Sequence, residues 1–193
     1  MDKLIYWDEQ LFLFLNSQHH DWLDPWMNLL TGKITWIPLY AIFLFLIFKH
    51  FKKSSIWVLA GIGLAILIAD QTASGFMKPF FERLRPCHNP DLEGMVFNYG
   101  GCGGMYGFVS SHAANSFALA IYLNLAFRRK MKGFAWLYLW AAVVSFTRIY
   151  LGVHYPSDIL IGALVGLLAG WVAWFITGKA KKLYLQRLRQ PEV

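Results

Sequence analysis

The chain has 193 residues, 57% of them hydrophobic and 18% aromatic, with a net charge of +7. That length suits a single domain over residues 1–193, and the apolar content excludes an ordinary soluble one. The positive charge is no argument for nucleic acid, because it falls mostly in short runs beside apolar segments, as in the cytoplasmic loops of membrane proteins.

Met1–Gln10 is acidic and aromatic, with no basic stretch leading into an apolar core. It does not resemble a cleaved signal peptide, so the first membrane helix is expected to act as a retained export signal. Residues 3–20 alternate loosely between apolar and polar groups (Leu4, Ile5, Trp7, Leu11, Phe12, Phe14, Leu15). That pattern predicts an amphipathic interfacial helix, and the Asp8–Glu9 pair argues against a span. His19 and His20 are placed at the same interface.

Five spans are predicted next, each near the ~20 residues needed to cross a ~30 Å hydrocarbon layer. They are Leu29–Phe48, Ile56–Met77, Ser111–Phe127, Phe134–Tyr150 and Ser157–Thr177. Lys33 lies near the start of the first, where its stem lets the ammonium reach water. The predicted fold class is therefore all-α: a multi-pass transmembrane helical bundle of about five spans plus the N-terminal helix. No repeat or low-complexity segment is present. Trp171 and Trp174 read as lipid-facing or packing residues.

Twelve of the 18 Lys and Arg residues follow spans one, three and five: Lys49, Lys52, Lys53, Arg128, Arg129, Lys130, Lys132, Lys179, Lys181, Lys182, Arg187 and Arg189. The positive-inside rule makes that side cytoplasmic, including a basic tail over 179–193. Lys3, Lys33, Lys78, Arg83, Arg85 and Arg148 remain on the disfavoured side, where positive charge calls for a use. Cys87 and Cys102 fall in the outward loop between spans two and three. In an oxidising compartment they can form a disulfide, and closing a loop of about 15 residues contributes roughly 3 kcal/mol. The alternatives are two free thiols, or a metal site of Cys87, His88 and Cys102 that lacks an evident fourth ligand.

Antiparallel spans joined by short loops bring alternate ends together. Lys78 and Arg85 at the outer end of span two, Ser110, Ser111 and His112 at the start of span three, Arg148 at the end of span four, and His154 and Asp158 before span five then share one face. Ionisable groups at that depth are costly without a function. Cations and helix N-terminal amides suit the oxygens of a phosphate, whose transition state spreads negative charge over them. Histidine supplies a nucleophile or an acid near neutral pH. Asp158, four residues after His154, can hold that ring in one tautomer.

The fragments Lys78-Pro-Phe-Phe-Glu-Arg-Leu-Arg85-Pro86, Val109-Ser110-Ser111-His112, and Arg148 with His154 and Asp158 resemble the three-part signature of the type 2 phosphatidic acid phosphatase family. That family contains membrane lipid phosphatases and soluble vanadium haloperoxidases, and the resemblance spans about residues 70–165. It implies His154 as a nucleophile forming a phosphohistidine, Asp158 as its orienting partner and His112 as the acid for the leaving group. It implies Lys78, Arg85, Arg148 and the Ser110 and Ser111 amides as ligands of the phosphoryl oxygens, with no metal and no cofactor. Two departures stand out. The second motif commonly reads Pro-Ser-Gly-His, where Val109 and Ser111 stand here, and Thr147 occupies a position often held by serine.

The expected function is hydrolysis of a lipid phosphate or diphosphate at the outer face of a bacterial inner membrane. Candidate substrates are undecaprenyl diphosphate, lipid A phosphate, phosphatidylglycerophosphate and phosphatidic acid. The expected partners are that substrate and membrane lipids. A non-enzymatic anion or lipid-phosphate transporter or binding protein is the alternative, though it has no need for two histidines and an orienting aspartate. A haloperoxidase conflicts with the apolar spans. Asp70 reads as a partner for Lys78 or Arg85, or as a satisfied polar group. Arg83 and Glu82 read as solvated or paired, His88 as dispensable, and the Gly-rich stretch Tyr99–Gly107 as a lid.

Overall fold

A computed structural model of the chain describes residues 2–131 and 133–188. Lys132, Arg189 and the end of the basic tail, included in the charge pattern above, lie outside the described residues. Among those described, eight α-helices and several short turns of other helix types occur, with no strand beyond one isolated bridge between Leu84 and Tyr106. The α-helices are α1 (Asp2–Asn16), α2 (Asp24–Thr31), α3 (Ile37–Phe51), α4 (Ser55–Asp70), α5 (Lys78–Phe81), α6 (Ser111–Phe127), α7 (Trp136–Tyr150) and α8 (Pro156–Arg187).

At the centre, α4, α6 and α8 pack on one another, with α7 against α6 and α3 against α4. The α6–α8 contact is made by small residues. A Cβ added to Gly162 would lie 2.7 Å from the Ser110 carbonyl oxygen, and one on Gly166 or Gly170 would overlap the carbonyl of Ala114 or Ala118. Spacing by four places the three glycines on one face of α8, and the backbones approach as small-residue stripes allow in membrane helices. Large apolar residues face outward instead: Leu160, Leu164, Leu168, Trp171 and Phe175 on α8, and Ile42, Phe45 and Phe48 on α3 are exposed. Small inside and large outside inverts a water-soluble core and suits an apolar solvent.

Two helical runs are long and apolar enough to cross a membrane, Ile34–Phe81 and Pro156–Arg187. The first contains predicted span two and the part of predicted span one from Ile34 onward, separated where Lys52 takes a left-handed φ of 50°. The helices α6 (17 residues) and α7 (15 residues) match predicted spans three and four in position but are short for a crossing. The predicted span Leu29–Phe48 is not one helix. Gly32 is extended (φ −71°, ψ 135°), so α2 ends before it, and α3 starts only at Ile37 with Pro38 in its first turn. α2 packs across α7, while α1 touches α7 and α8. Phe12 of α1 is buried with Leu92, Ile149 and Tyr155 in a second, smaller core.

After Asp70 the helix widens into a π-type segment, Gln71–Met77. Pro79 accounts for this locally, since it has no N–H for the Gly75 carbonyl and its ring crowds the preceding turn. The widened turn carries the chain to Lys78.

Candidate active site

His154 sits on the tight connection between α7 and α8. Its backbone N–H and that of Val153 both donate to the Arg148 carbonyl, at 3.2 and 3.0 Å. The turn needs Gly152, which has φ +77° and faces the Phe97 carbonyl where a side chain would overlap. Pro156 in the first turn then starts α8.

Asp158, in that first turn, has no solvent exposure. Its Oδ2 accepts from His154 Nδ1 at 3.2 Å and from the Tyr155 N–H at 3.0 Å. The second bond is the backward half of a capping box, so the same carboxylate ends the turn and holds the imidazole. With Nδ1 engaged, Nε2 is the free nitrogen of His154. Burial pushes the His154 pKa down to about 4, against the opposing pull of Asp158. The ring is therefore neutral at physiological pH, the state in which Nε2 carries a lone pair.

Arg83 completes this group. Its Nη1 donates to Asp158 Oδ1 at 3.2 Å, its Nη2 to Asp8 Oδ2 at 2.8 Å, and its guanidinium lies 3.9 Å from the centre of the Tyr155 ring. Asp8 in turn accepts from the Ser157 N–H at 2.9 Å and from the Ser157 hydroxyl. Arg83 is thus paired, one of its two expected states. Its partners had no signal in the sequence, because Asp8 lies 75 positions from it along the chain.

The remaining cations converge on the same place. Lys78 is within electrostatic reach of Arg85, Arg148, Asp70 and Asp158, and His112 of Arg148, His154 and Lys78. Arg85 is buried and donates through Nε to the Tyr106 carbonyl at 3.3 Å. Burial lowers its pKa and Asp158 opposes the shift. Arg148 donates through Nη1 to Thr31 Oγ1 at 2.8 Å, while its Nε is buried with no partner among the described residues. A cavity of about 360 Å³ has Arg85, Arg148, Thr31 and the loop glycines Gly100, Gly101 and Gly103 on its wall. The Gly-rich stretch expected as a lid thus borders the cationic space. Cys87 and Cys102 are joined as a disulfide, Cα to Cα 6.0 Å, which ties the Arg85–Pro86 segment to that loop.

Ser110 and Ser111 do not serve alike. The Ser110 N–H donates to the Asp158 carbonyl at 3.1 Å, and its buried hydroxyl caps the Ala113 N–H at 3.5 Å. The expectation that the Ser110 amide holds a phosphoryl oxygen is corrected: that donor is already spent fastening α6 to α8. Ser111 opens α6, where first-turn amides have no intrahelical acceptor, and its hydroxyl bonds Ser74 at 2.7 Å. The Thr147 hydroxyl turns away to the Val144 carbonyl at 2.6 Å. Asp70 is the satisfied polar group rather than the ion partner: its Oδ1 accepts from Asn115 at 3.2 Å and Ser74 at 3.4 Å.

Together these groups can bind a tetrahedral dianion and present a neutral imidazole nitrogen to it, with a second imidazole, His112, nearby. Among the described residues, no group of three or more His, Cys, Asp or Glu side chains is placed to hold a metal.

Residues 56–182 match the PAP2 superfamily. The chain is 42% identical over 175 residues to the lipid A 4'-phosphatase of Bacteroides thetaiotaomicron, covering 89% of this chain and 77% of that one. It is 38% identical over 189 residues to the lipid A 4'-phosphatase of Porphyromonas gingivalis, covering 96% and 79%. The crystal structure of Aquifex aeolicus LpxE superposes with a TM-score of 0.65 at 28% identity, over 85% of this chain and 92% of that chain.

Proposed function

The chain belongs to the PAP2 superfamily and is a lipid phosphatase, and from that premise we propose that it removes a phosphate from lipid A or a related lipid phosphate through a phosphohistidine on His154. The observation that carries this reading is the Asp158–His154 contact, which leaves Nε2 free and the ring neutral near Arg85 and Arg148. The relatives named as lipid A 4'-phosphatases support the choice of lipid.

In the first step Nε2 attacks phosphorus, the bond from phosphorus to the lipid oxygen breaks, and His112, protonated beside the bound phosphate dianion, gives that oxygen its proton and becomes neutral. Lys78, Arg85, Arg148 and the Ser111 amide balance the charge on the three equatorial oxygens. In the second step His112 takes a proton from water, whose oxygen attacks phosphorus and releases His154 and inorganic phosphate. No step draws on a metal or cofactor.

We place the single domain, residues 1–193, in the inner membrane with five crossings: α3, α4 with its π extension, α6, α7 and α8. The short α6 and α7 cross with the help of their connecting loops. α1 rests on the membrane surface, the site faces the periplasm, and the basic end of α8 is cytoplasmic. The bias of Lys and Arg and the outward apolar residues of α3 and α8 support this arrangement.

The test is acid quenching of purified protein mixed with lipid A labelled in its phosphate, with and without excess chelator. Wild type should yield an acid-labile phosphoprotein and free phosphate under both conditions, and His154→Ala neither. Turnover by His154→Ala rules the mechanism out, and chelator-sensitive activity restored by one divalent ion replaces it with metal-assisted hydrolysis.

A further inference from the structure

Asn16 is the last residue of α1 and only 1% exposed, a rare place for a side-chain amide. Both ends of that amide are engaged. Its Oδ1 accepts from the Phe97 N–H at 2.8 Å, and its Nδ2 donates to the Phe97 carbonyl at 3.0 Å. The same Nδ2 reaches the carbonyls of Tyr150 at 2.9 Å and Ile149 at 3.3 Å, in the last turn of α7. One side chain thus pairs with Phe97 as a neighbouring strand would, and also occupies carbonyls that a helix end leaves open. Next along the chain, Asn98 Nδ2 donates to the Leu151 carbonyl at 2.9 Å. Phe97 and Asn98 are therefore stapled across residues 149–151, and Gly152 leaves the room that the Phe97 carbonyl needs.

The stapled segments lead into the two walls of the cationic cavity. Phe97 and Asn98 run directly into Tyr99, Gly100 and Gly101 on one wall, while Arg148, just before Ile149, stands on the other. The α7 side is fixed independently from α2, since the Tyr150 hydroxyl donates to Asp24 at 2.6 Å and Arg148 to Thr31 at 2.8 Å. The Gly-rich side is held at Cys102 by the disulfide and at Phe97–Asn98 by the staple. Between those anchors Gly100 and Gly101, with φ of 85° and 90°, have no side chains to pack the wall in place.

We infer, resting on the phosphatase reading above, that Asn16 is a positioning residue for the reaction: it sets the gap between the Gly-rich wall and Arg148, and through that gap the affinity for a phosphoryl group. The place calls for an asparagine, because it needs an acceptor and two donor hydrogens in one plane. Aspartate keeps the acceptor for Phe97 but sets a charged oxygen against three carbonyls, and alanine strips four backbone groups of their partner. His154 is held through Asp158 and Arg83 instead. Loss of the amide therefore loosens the binding cavity more than it disturbs the nucleophile.

The experiment measures the Kd of inorganic phosphate by calorimetry, and kcat and KM on lipid A 4'-phosphate, for solubilised wild type, Asn16→Asp and Gly166→Ala. Gly166→Ala is the control, a packing change on α8 away from the staple. Asn16→Asp should raise Kd and KM together by about tenfold, the scale of one or two lost hydrogen bonds. Its kcat should stay within about threefold of wild type, the pattern of lost binding rather than lost chemistry. Gly166→Ala should leave all three constants near wild type, and equal rises in the two variants overturn the positioning role. Unchanged Kd and KM in Asn16→Asp, with only a lower melting temperature, make the residue a structural clamp and overturn it as well. So does a loss confined to kcat, since the nucleophile and not the cavity has then moved. Should Asn16→Asp fail to fold, Asn98→Ala removes one bond of the same staple at an exposed position. It should raise Kd and KM by about threefold, and unchanged values there overturn the proposal. Wild type that binds phosphate but releases none from the lipid is a different result: it sinks the phosphatase reading and leaves Kd to decide the staple.

Discussion

Asp158 accepts three hydrogen bonds, from His154, Tyr155 and Arg83, and only the third comes from outside its own turn. A buried carboxylate that loses its cation is left as an uncompensated charge. Arg83→Met should therefore lower kcat by about 100-fold, the scale expected when a reacting group is misplaced by about 1 Å. KM should stay near its wild-type value, since Arg83 faces the carboxylate rather than the phosphate. Arg83→Lys should recover part of the loss, because the charge returns without the fork. Steady-state kinetics of the three proteins decide this. His154 gives a second prediction at the same scale. Its folded pKa of about 4 lies below the ordinary 6.5, so the fold favours the neutral ring. The stability linked to that preference is complete above pH 6.5 and is lost as pH falls from 6.5 towards 4. The melting temperature of solubilised wild type should fall across that window, and His154→Asn should flatten part of the fall.

Helix α8 gives the clearest element-scale consequence. Its inner face is glycine and alanine against the α6 backbone, and its outer face is leucine. Adding one methyl at Gly166 forces the α6 backbone away, and overpacking of this kind costs about 1–3 kcal/mol. Gly166→Ala should therefore lower the melting temperature by several degrees. Leu164→Ala, at a residue 54% exposed, should change it by less than the error of the scan. Equal effects at the two positions would contradict this packing. The spacing of Gly162, Gly166 and Gly170 is visible in the sequence, as are Ala114 and Ala118 opposite, but hydropathy measures span length and not which faces meet. The break at Gly32 did have a signal, Thr31-Gly32-Lys33 followed by Pro38, but hydropathy averages over it, and the extended geometry of Gly32 divides the run.

Across the whole molecule, the fragments of the candidate site were legible because topology alone brings the ends of alternate helices together. Lys78, Arg85, His112, Arg148, His154 and Asp158 all assemble where antiparallel spans place them. What stayed hidden depends on tertiary contacts: the Ser110 N–H is consumed by the Asp158 carbonyl 48 positions on, and Asp8 reaches Ser157 across nearly the full chain. The proposed orientation has a direct check. A cysteine placed at Asn98 in a background where Cys87 and Cys102 are serine should react with a membrane-impermeant thiol reagent in whole cells. A cysteine at Lys181 should react only after the membrane is opened. The reverse pattern would invert the topology.

Asp8 belongs to α1, whose Leu4, Trp7, Leu11 and Phe14 are exposed, and it holds both Arg83 and the first turn of α8. In the proposed orientation α1 rests on the lipid surface, and the proposed nucleophile is then moored, through Asp158, Arg83 and Asp8, to a float. Headgroup spacing and curvature set the angle at which such a float lies, so in that arrangement the imidazole would sense the sheet around it. A micelle offers a tighter curve than a bilayer. Moving purified enzyme from detergent into nanodiscs should raise kcat for wild type and do so less for Asp8→Asn, which cuts the mooring while leaving α1 its apolar face.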